Sequence, residues 1–195
     1  MSSLRVIAGK ARGRRLRSVP GDITRPITDR VKESLFNILG PDIAESTFLD
    51  LFAGTGSVGI EALSRGANFV RFVDRHRLAV RTVRTNLDIT GLGESAEVLQ
   101  MDAFALLNKP ADRLFDYVYI APPQYKGIWK QALLAVDRRQ DWLSKDPWVV
   151  VQIDPVELEP IALENLVEFD QRRYGSTQLI FYELREHELS SAVYE

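Results

Sequence analysis

"DLFAGTGSVGIEAL", residues 50–63, closes an apolar run with a carboxylate and then spaces Gly54, Gly56 and Gly59 as G-x-G-x-x-G ahead of a helical pattern. A strand that yields to a glycine turn and then to a helix begins a βα unit, and its glycines let backbone amides approach a ligand closely. Asp74 follows Gly54 by twenty residues, at the end of the next apolar run, where a carboxylate can grip ribose hydroxyls. Taken alone, the pattern fits a nicotinamide-dependent oxidoreductase. Asp50 argues against that reading, because a dinucleotide would lay its pyrophosphate beside this carboxylate. A ligand with adenine, ribose and a cationic amino-acid end, S-adenosylmethionine, turns the same charge into an attraction. "QMDAF" then places Asp102 at the end of a third run, where it can accept a hydrogen bond from the adenine amine. The candidate cofactor contacts are Thr28, Asp50, Phe52, Ala53, Gly54, Gly56, Asp74, Arg75, Asp102 and Ala103.

Outward from this stretch, short apolar runs alternate with helical periodicity, which predicts a mostly parallel sheet. Strands are expected near 47–52, 68–74, 96–101, 115–120 and 147–154, followed by "LVEFDQRRY" and "TQLIFYEL" as an antiparallel hairpin turning at Gly175. Helices are expected near 57–65, 76–90 and 126–139, with shorter ones near 103–108 and 156–164, and "SKDPW" reads as a turn. Seven strands result, with the site beyond the carboxyl ends of the first few. Trp129, Trp142 and Trp148 read as core or rim aromatics, and His76 as a residue on a helix surface.

"YIAPPQYKG", residues 119–127, ends the fourth strand with two prolines, which can neither donate a backbone hydrogen bond nor enter a helix interior. Two rigid residues in succession free a carbonyl from sheet pairing and hold it in place.

With 195 residues, 45% of them apolar and 27% charged, the chain is long enough for one globular core. No cysteine is present and His76 and His187 are the two histidines, so a disulfide framework or a zinc site is not expected. No run reaches membrane-spanning length and the start lacks the apolar segment of a secretory signal, so a cytoplasmic monomer is the expectation. The net charge of −2 conceals an asymmetry: residues 1–40 hold nine Lys/Arg against three Asp/Glu, which leaves −8 on the rest. Lys10, Arg12, Arg14, Arg15 and Arg17 crowd into eight residues of a predicted hairpin, a stripe suited to a phosphate backbone or, more plainly, to solvent. In "RPITDRVKESLFNIL", residues 25–39, Pro26 blocks continuation, Thr28 is placed to cap a helix, and Arg25 and Arg30 extend the basic surface.

The segments "RVIAGKARGRRL", "RPITDRVKESLFNIL", "LDLFAGTGSVGIEALSRGA", "VDR" and "APPQYKG" resemble, in order and spacing, the bacterial methyltransferases that modify the 2-amino group of a guanine in 16S ribosomal RNA. The resemblance covers nearly the whole chain. It implies a class I methyltransferase fold with an N-terminal hairpin extension over residues 1–40 and a catalytic domain over 41–195. It also implies S-adenosylmethionine as cofactor and 16S rRNA or a small-subunit assembly particle as partner. Lys10, Arg12, Arg14, Arg15, Arg17, Arg25 and Arg30 would contact that RNA. The family's catalytic loop reads Asp/Asn-Pro-Pro-Tyr/Phe, in which the first side chain and the first proline carbonyl accept from the target amine while the ring stacks on the flipped base. Here Ala121 stands at the acidic position, Pro122 and Pro123 match, Gln124 holds the aromatic position, and Tyr125 comes one residue later. Pro122 C=O still serves as an acceptor, Gln124 offers an amide in place of the missing group, and Tyr125 offers a stacking face. The rival readings are a non-catalytic RNA-binding or ribosome-assembly module, which Ala121 favours, and a DNA amine methyltransferase.

Overall fold

The computed structural model describes residues 4–21 and 27–186. The expectations for Arg25, Pro26 and His187 lie outside the described residues.

Among the described residues seven strands form one sheet: β1 (Thr47–Asp50), β2 (Phe69–Asp74), β3 (Ala96–Gln100), β4 (Phe115–Ile120), β5 (Leu143–Ile153), β6 (Leu166–Tyr174) and β7 (Thr177–Leu184). Their order is β3-β2-β1-β4-β5-β7-β6. The pairs from β3 across to β5 are parallel, whereas β7 runs antiparallel to both β5 and β6. The chain reverses its direction of travel across the sheet between β1 and β4, which opens a crevice beyond their carboxyl ends. Among the described residues five α-helices cover the sheet: α1 (Asp29–Leu39), α2 (Ser57–Ser64), α3 (Arg77–Thr90), α4 (Ala103–Leu107) and α5 (Ile128–Arg138). Apolar side chains of α1, α2 and α3 fill one face, among them Leu35, Ile60 and Val83. Those of α4 and α5, among them Leu106, Trp129 and Leu133, fill the other.

Two local expectations are corrected. "SKDPW" is no turn: β5 runs through it, and the pairing skips from Phe115↔Leu143 to Tyr117↔Trp148, so a bulge holds Ser144 to Pro147. A proline without an N–H is tolerated at such an irregularity. The helix expected near 156–164 is a single 3-10 turn, Pro155–Glu157, capped by Asp154. Pro160 would clash with the carbonyl four residues earlier if an α-helix continued.

The N-terminal arm is an antiparallel loop with one true bridge, Arg5↔Arg15, and bonds from Val6 N–H to Arg14 O and from Leu16 N–H to Leu4 O. It is docked on α2. Glu61, wholly buried, accepts from the backbone N–H groups of Ile7 and Ala8 and pairs with Arg65 and the equally buried Lys32. Burial lowers the Lys32 pKa, opposed by the Glu61 charge. Asn86 of α3 accepts from Arg17 N–H and donates both to Arg17 O and to Thr55 O in the glycine loop. The arm is therefore joined by hydrogen bonds to the segment that follows β1.

Candidate active site

A cavity of about 310 Å³ opens beyond the carboxyl ends of β1, β2, β3, β4 and β5. Asp50, Asp74 and Asp102 all line it, together with Phe52, Ala53, Gly54, Arg75 and Ala103. Ala121, Pro122, Pro123 and Gln124 line its far wall. The parallel register explains the grouping: Asp50 and Asp74 end β1 and β2 and Asp102 comes two residues after β3, so adjacent strands deliver them to one end of the sheet.

The glycine loop is shaped for close approach. Gly54 and Gly56 have φ of 54° and 76°, the left-handed region that side chains avoid. Gly59 has a different reason: a Cβ there would lie 2.3 Å from the Phe72 ring, so only glycine lets α2 pack on β2. Asp74 stabilises the loop, its Oδ2 accepting from Gly54 N–H at 2.9 Å and its Oδ1 from His76 N–H at 2.8 Å. Asp102 Oδ1 caps α4 through Phe104 N–H.

Asp50 is 1% exposed, and its Oδ1 has no hydrogen-bond partner among the described residues. Burial pushes its carboxyl up to about 7, helped by the Asp74 charge and opposed by the backbone N–H groups of Gly59 and Phe52. The Ser57 hydroxyl at the start of α2 is likewise buried without a partner among the described residues, and it lines the same cavity. A buried acceptor and an unsatisfied hydroxyl among the residues lining one cavity suit a ligand carrying both a cation and an anion. The zwitterionic end of S-adenosylmethionine is of that kind.

Not every expected residue is gathered here. Thr28 and Gly56 serve as the N-caps of α1 and α2 and do not line the cavity. Tyr125 is 65% exposed and has φ of +62°. Its OH donates to Asp154 Oδ2 at 2.9 Å and its N–H to Glu157 Oε1 at 2.8 Å, which ties it to the turn after β5, and it is not among the residues lining the cavity. Lys10, Arg12, Arg14, Arg15, Arg17 and Arg30 are exposed.

Sequence reading alone missed Ile27, Ser57, His76, Phe104, Tyr119 and Gln152 as lining residues. Tyr119 and Gln152 carried a usable signal, being polar groups near the ends of otherwise apolar central strands. Tyr119 is 3% exposed and donates its hydroxyl to Gln152 Oε1. Burial and the Asp50 charge raise the phenol far above its usual pKa, so it keeps its proton.

The sheet order, the glycine loop and the strand-end carboxylates define a class I methyltransferase fold. The chain belongs to the family described as conserved hypothetical protein 95, whose model matches residues 4–183. It is 42% identical to YlbH of Bacillus subtilis over 185 residues, 93% of this chain and 100% of that protein. It is 37% identical over 153 residues to ribosomal RNA small subunit methyltransferase D of Haemophilus influenzae, covering 77% of this chain and 79% of that one. The solved structure of yhhF from Escherichia coli superposes with a TM-score of 0.83 at 29% identity, covering 93% and 98% of the two chains.

Proposed function

We propose that this chain transfers a methyl group from S-adenosylmethionine to the exocyclic 2-amino group of a guanine in small-subunit ribosomal RNA. The observation that carries the reading is one row of groups in one cavity: Asp102, Asp74 and Asp50 at the ends of β3, β2 and β1, then Pro122 beyond β4. The kinship to a ribosomal RNA small subunit methyltransferase supports the RNA substrate. Residues 1–40 form the basic extension and residues 41–195 the methyltransferase domain.

In this reading Asp102 accepts from the adenine amine, Asp74 from the ribose hydroxyls, and Asp50 pairs with the ammonium, with Phe52, Ala53, Gly54, Arg75 and Ala103 around them, whereas Thr28 and Gly56 act as helix caps outside the cavity wall. The cofactor supplies an electrophilic methyl on a sulfonium. The protein needs no covalent nucleophile, since the amine itself attacks. Its task is to hold that nitrogen in line, and Pro122 C=O, rigid between two constrained residues, accepts one amine hydrogen and orients the lone pair. Ala121 adds no second acceptor, Pro123 keeps the loop stiff, and Gln124 projects an amide into the same space. Tyr125 at the rim is placed for a nucleotide flanking the target base. Lys10, Arg12, Arg14, Arg15, Arg17, Arg25 and Arg30 contact the phosphate backbone.

The test is transfer from labelled cofactor to small ribosomal subunits prepared from a strain lacking this gene. Incorporation is expected, and Ala121→Asp preserves or raises the rate by adding an acceptor. Binding of both cofactor and RNA without transfer would make the chain an assembly module instead.

A further inference from the structure

The cavity has two halves. The carboxylates occupy the β3, β2 and β1 side, whereas the other side, at the ends of β4 and β5, holds the proline loop with the polar side chains of Tyr119 and Gln152. The register pairs Tyr119 with Val150 and Ile120 with Val151; Ala121 and Gln152 are the residues that follow these last partners, and both line the cavity. Where the chain lacks a polar group on one strand, an amide stands on its neighbour.

The orientation of that amide follows from Tyr119. The buried hydroxyl keeps its proton, and its partner is Gln152 Oε1. A phenol hydrogen needs an acceptor, and an amide NH₂ cannot serve as one. Oε1 therefore faces Tyr119. Nε2 has no partner among the described residues, and the side chain is half-buried on the cavity wall. Two N–H donors are thus offered to whatever enters the β4–β5 half.

Resting on the methyltransferase reading above, we propose that Gln152 is a base-recognition residue. Its Nε2 donates to a ring-nitrogen or carbonyl acceptor of the base whose amine Pro122 C=O orients, and the Tyr119 hydroxyl locks it in place. Every amino-bearing nucleobase has such an acceptor beside its amine. The site then grips the base from two strands: the Pro122 carbonyl accepts from the amine, and Gln152 donates to its neighbour. Ala121 leaves the room for this second contact.

The experiment uses the full chain with saturating labelled cofactor in single turnover on small subunits from a strain lacking the gene. Gln152→Ala and Gln152→Glu, the latter keeping the Tyr119 bond but removing both N–H donors, are each expected to lower the methylation rate about tenfold. Tyr119→Phe lowers it less, because the amide stays but loses its fixed orientation. Calorimetric cofactor affinity remains that of the parent in all three. Wild-type rates in both Gln152 variants would overturn the assignment while leaving the methyltransferase reading intact. A loss of cofactor affinity matching the loss of rate would also overturn it, placing Gln152 on the cofactor. If the parent chain itself transfers no methyl group, the functional reading fails and this assignment falls with it.

Discussion

Gly54 donates its backbone N–H to Asp74 Oδ2 at 2.9 Å, which ties the glycine loop after β1 to the carboxyl end of β2. One carboxylate thereby shapes the loop and still presents lone pairs to the cavity. Asp74→Ala should weaken S-adenosylmethionine binding by about 1.5–3 kcal/mol, the usual range for hydrogen bonds to a charged group. Titration calorimetry checks this, and Asp74→Asn should recover part of the loss because one acceptor remains. Unchanged affinity in the alanine variant would remove Asp74 from the site.

Asp50 makes the cofactor-free protein pH-sensitive. Its folded-state pKa of about 7 lies above the ordinary carboxylate value of 3.8. Between those values the folded state binds the extra proton, so stability is greatest below the lower one and falls as pH rises towards 7. The loss across that window is about 2–4 kcal/mol. Asp50→Asn should raise the melting temperature of the cofactor-free protein at pH 8 and flatten this dependence, while weakening cofactor binding. A variant no more stable than the parent at pH 8 would contradict the burial argument.

The basic arm should make RNA binding depend on salt. Among the described residues Lys10, Arg12, Arg14, Arg15 and Arg17 form no ion pair, and the backbone beneath them is pinned to Glu61, Ser64 and Asn86. Cations on a rigid platform lose little entropy on meeting phosphates. Replacing Arg12, Arg14 and Arg15 by Gln should weaken RNA binding across sequences and lower the salt slope by about one for each phosphate no longer neutralised, with cofactor affinity unchanged. An unaltered slope would make the stripe a solvated surface.

The βα alternation and the three strand-end carboxylates were legible because strand period, glycine spacing and acidic punctuation are local signals. The Thr28 cap was equally plain: its hydroxyl accepts from Val31 N–H as expected, although it caps a helix and does not line the strand-end cavity. What escaped depends on partners distant in sequence. Pro147 inside β5 is permitted by a bulge opposite β4, which no local pattern announces. Tyr125 looked like a ring for the base, yet the 3-10 turn at Pro155–Glu157 holds its backbone and Asp154 its hydroxyl. Gln152 entered the site only through the register between β4 and β5, and Asn86 joined the arm to the glycine loop only through the packing of α3.

The most direct measurement is mass mapping of modified nucleosides in 16S rRNA from a strain with this gene deleted, beside the same strain complemented. One N2-methylguanosine is expected to disappear on deletion and to return with the intact gene, but not with Asp50→Ala. Small-subunit RNA carrying the same methylated guanines in both strains would contradict this expectation, as would a missing methyl on any base other than guanine.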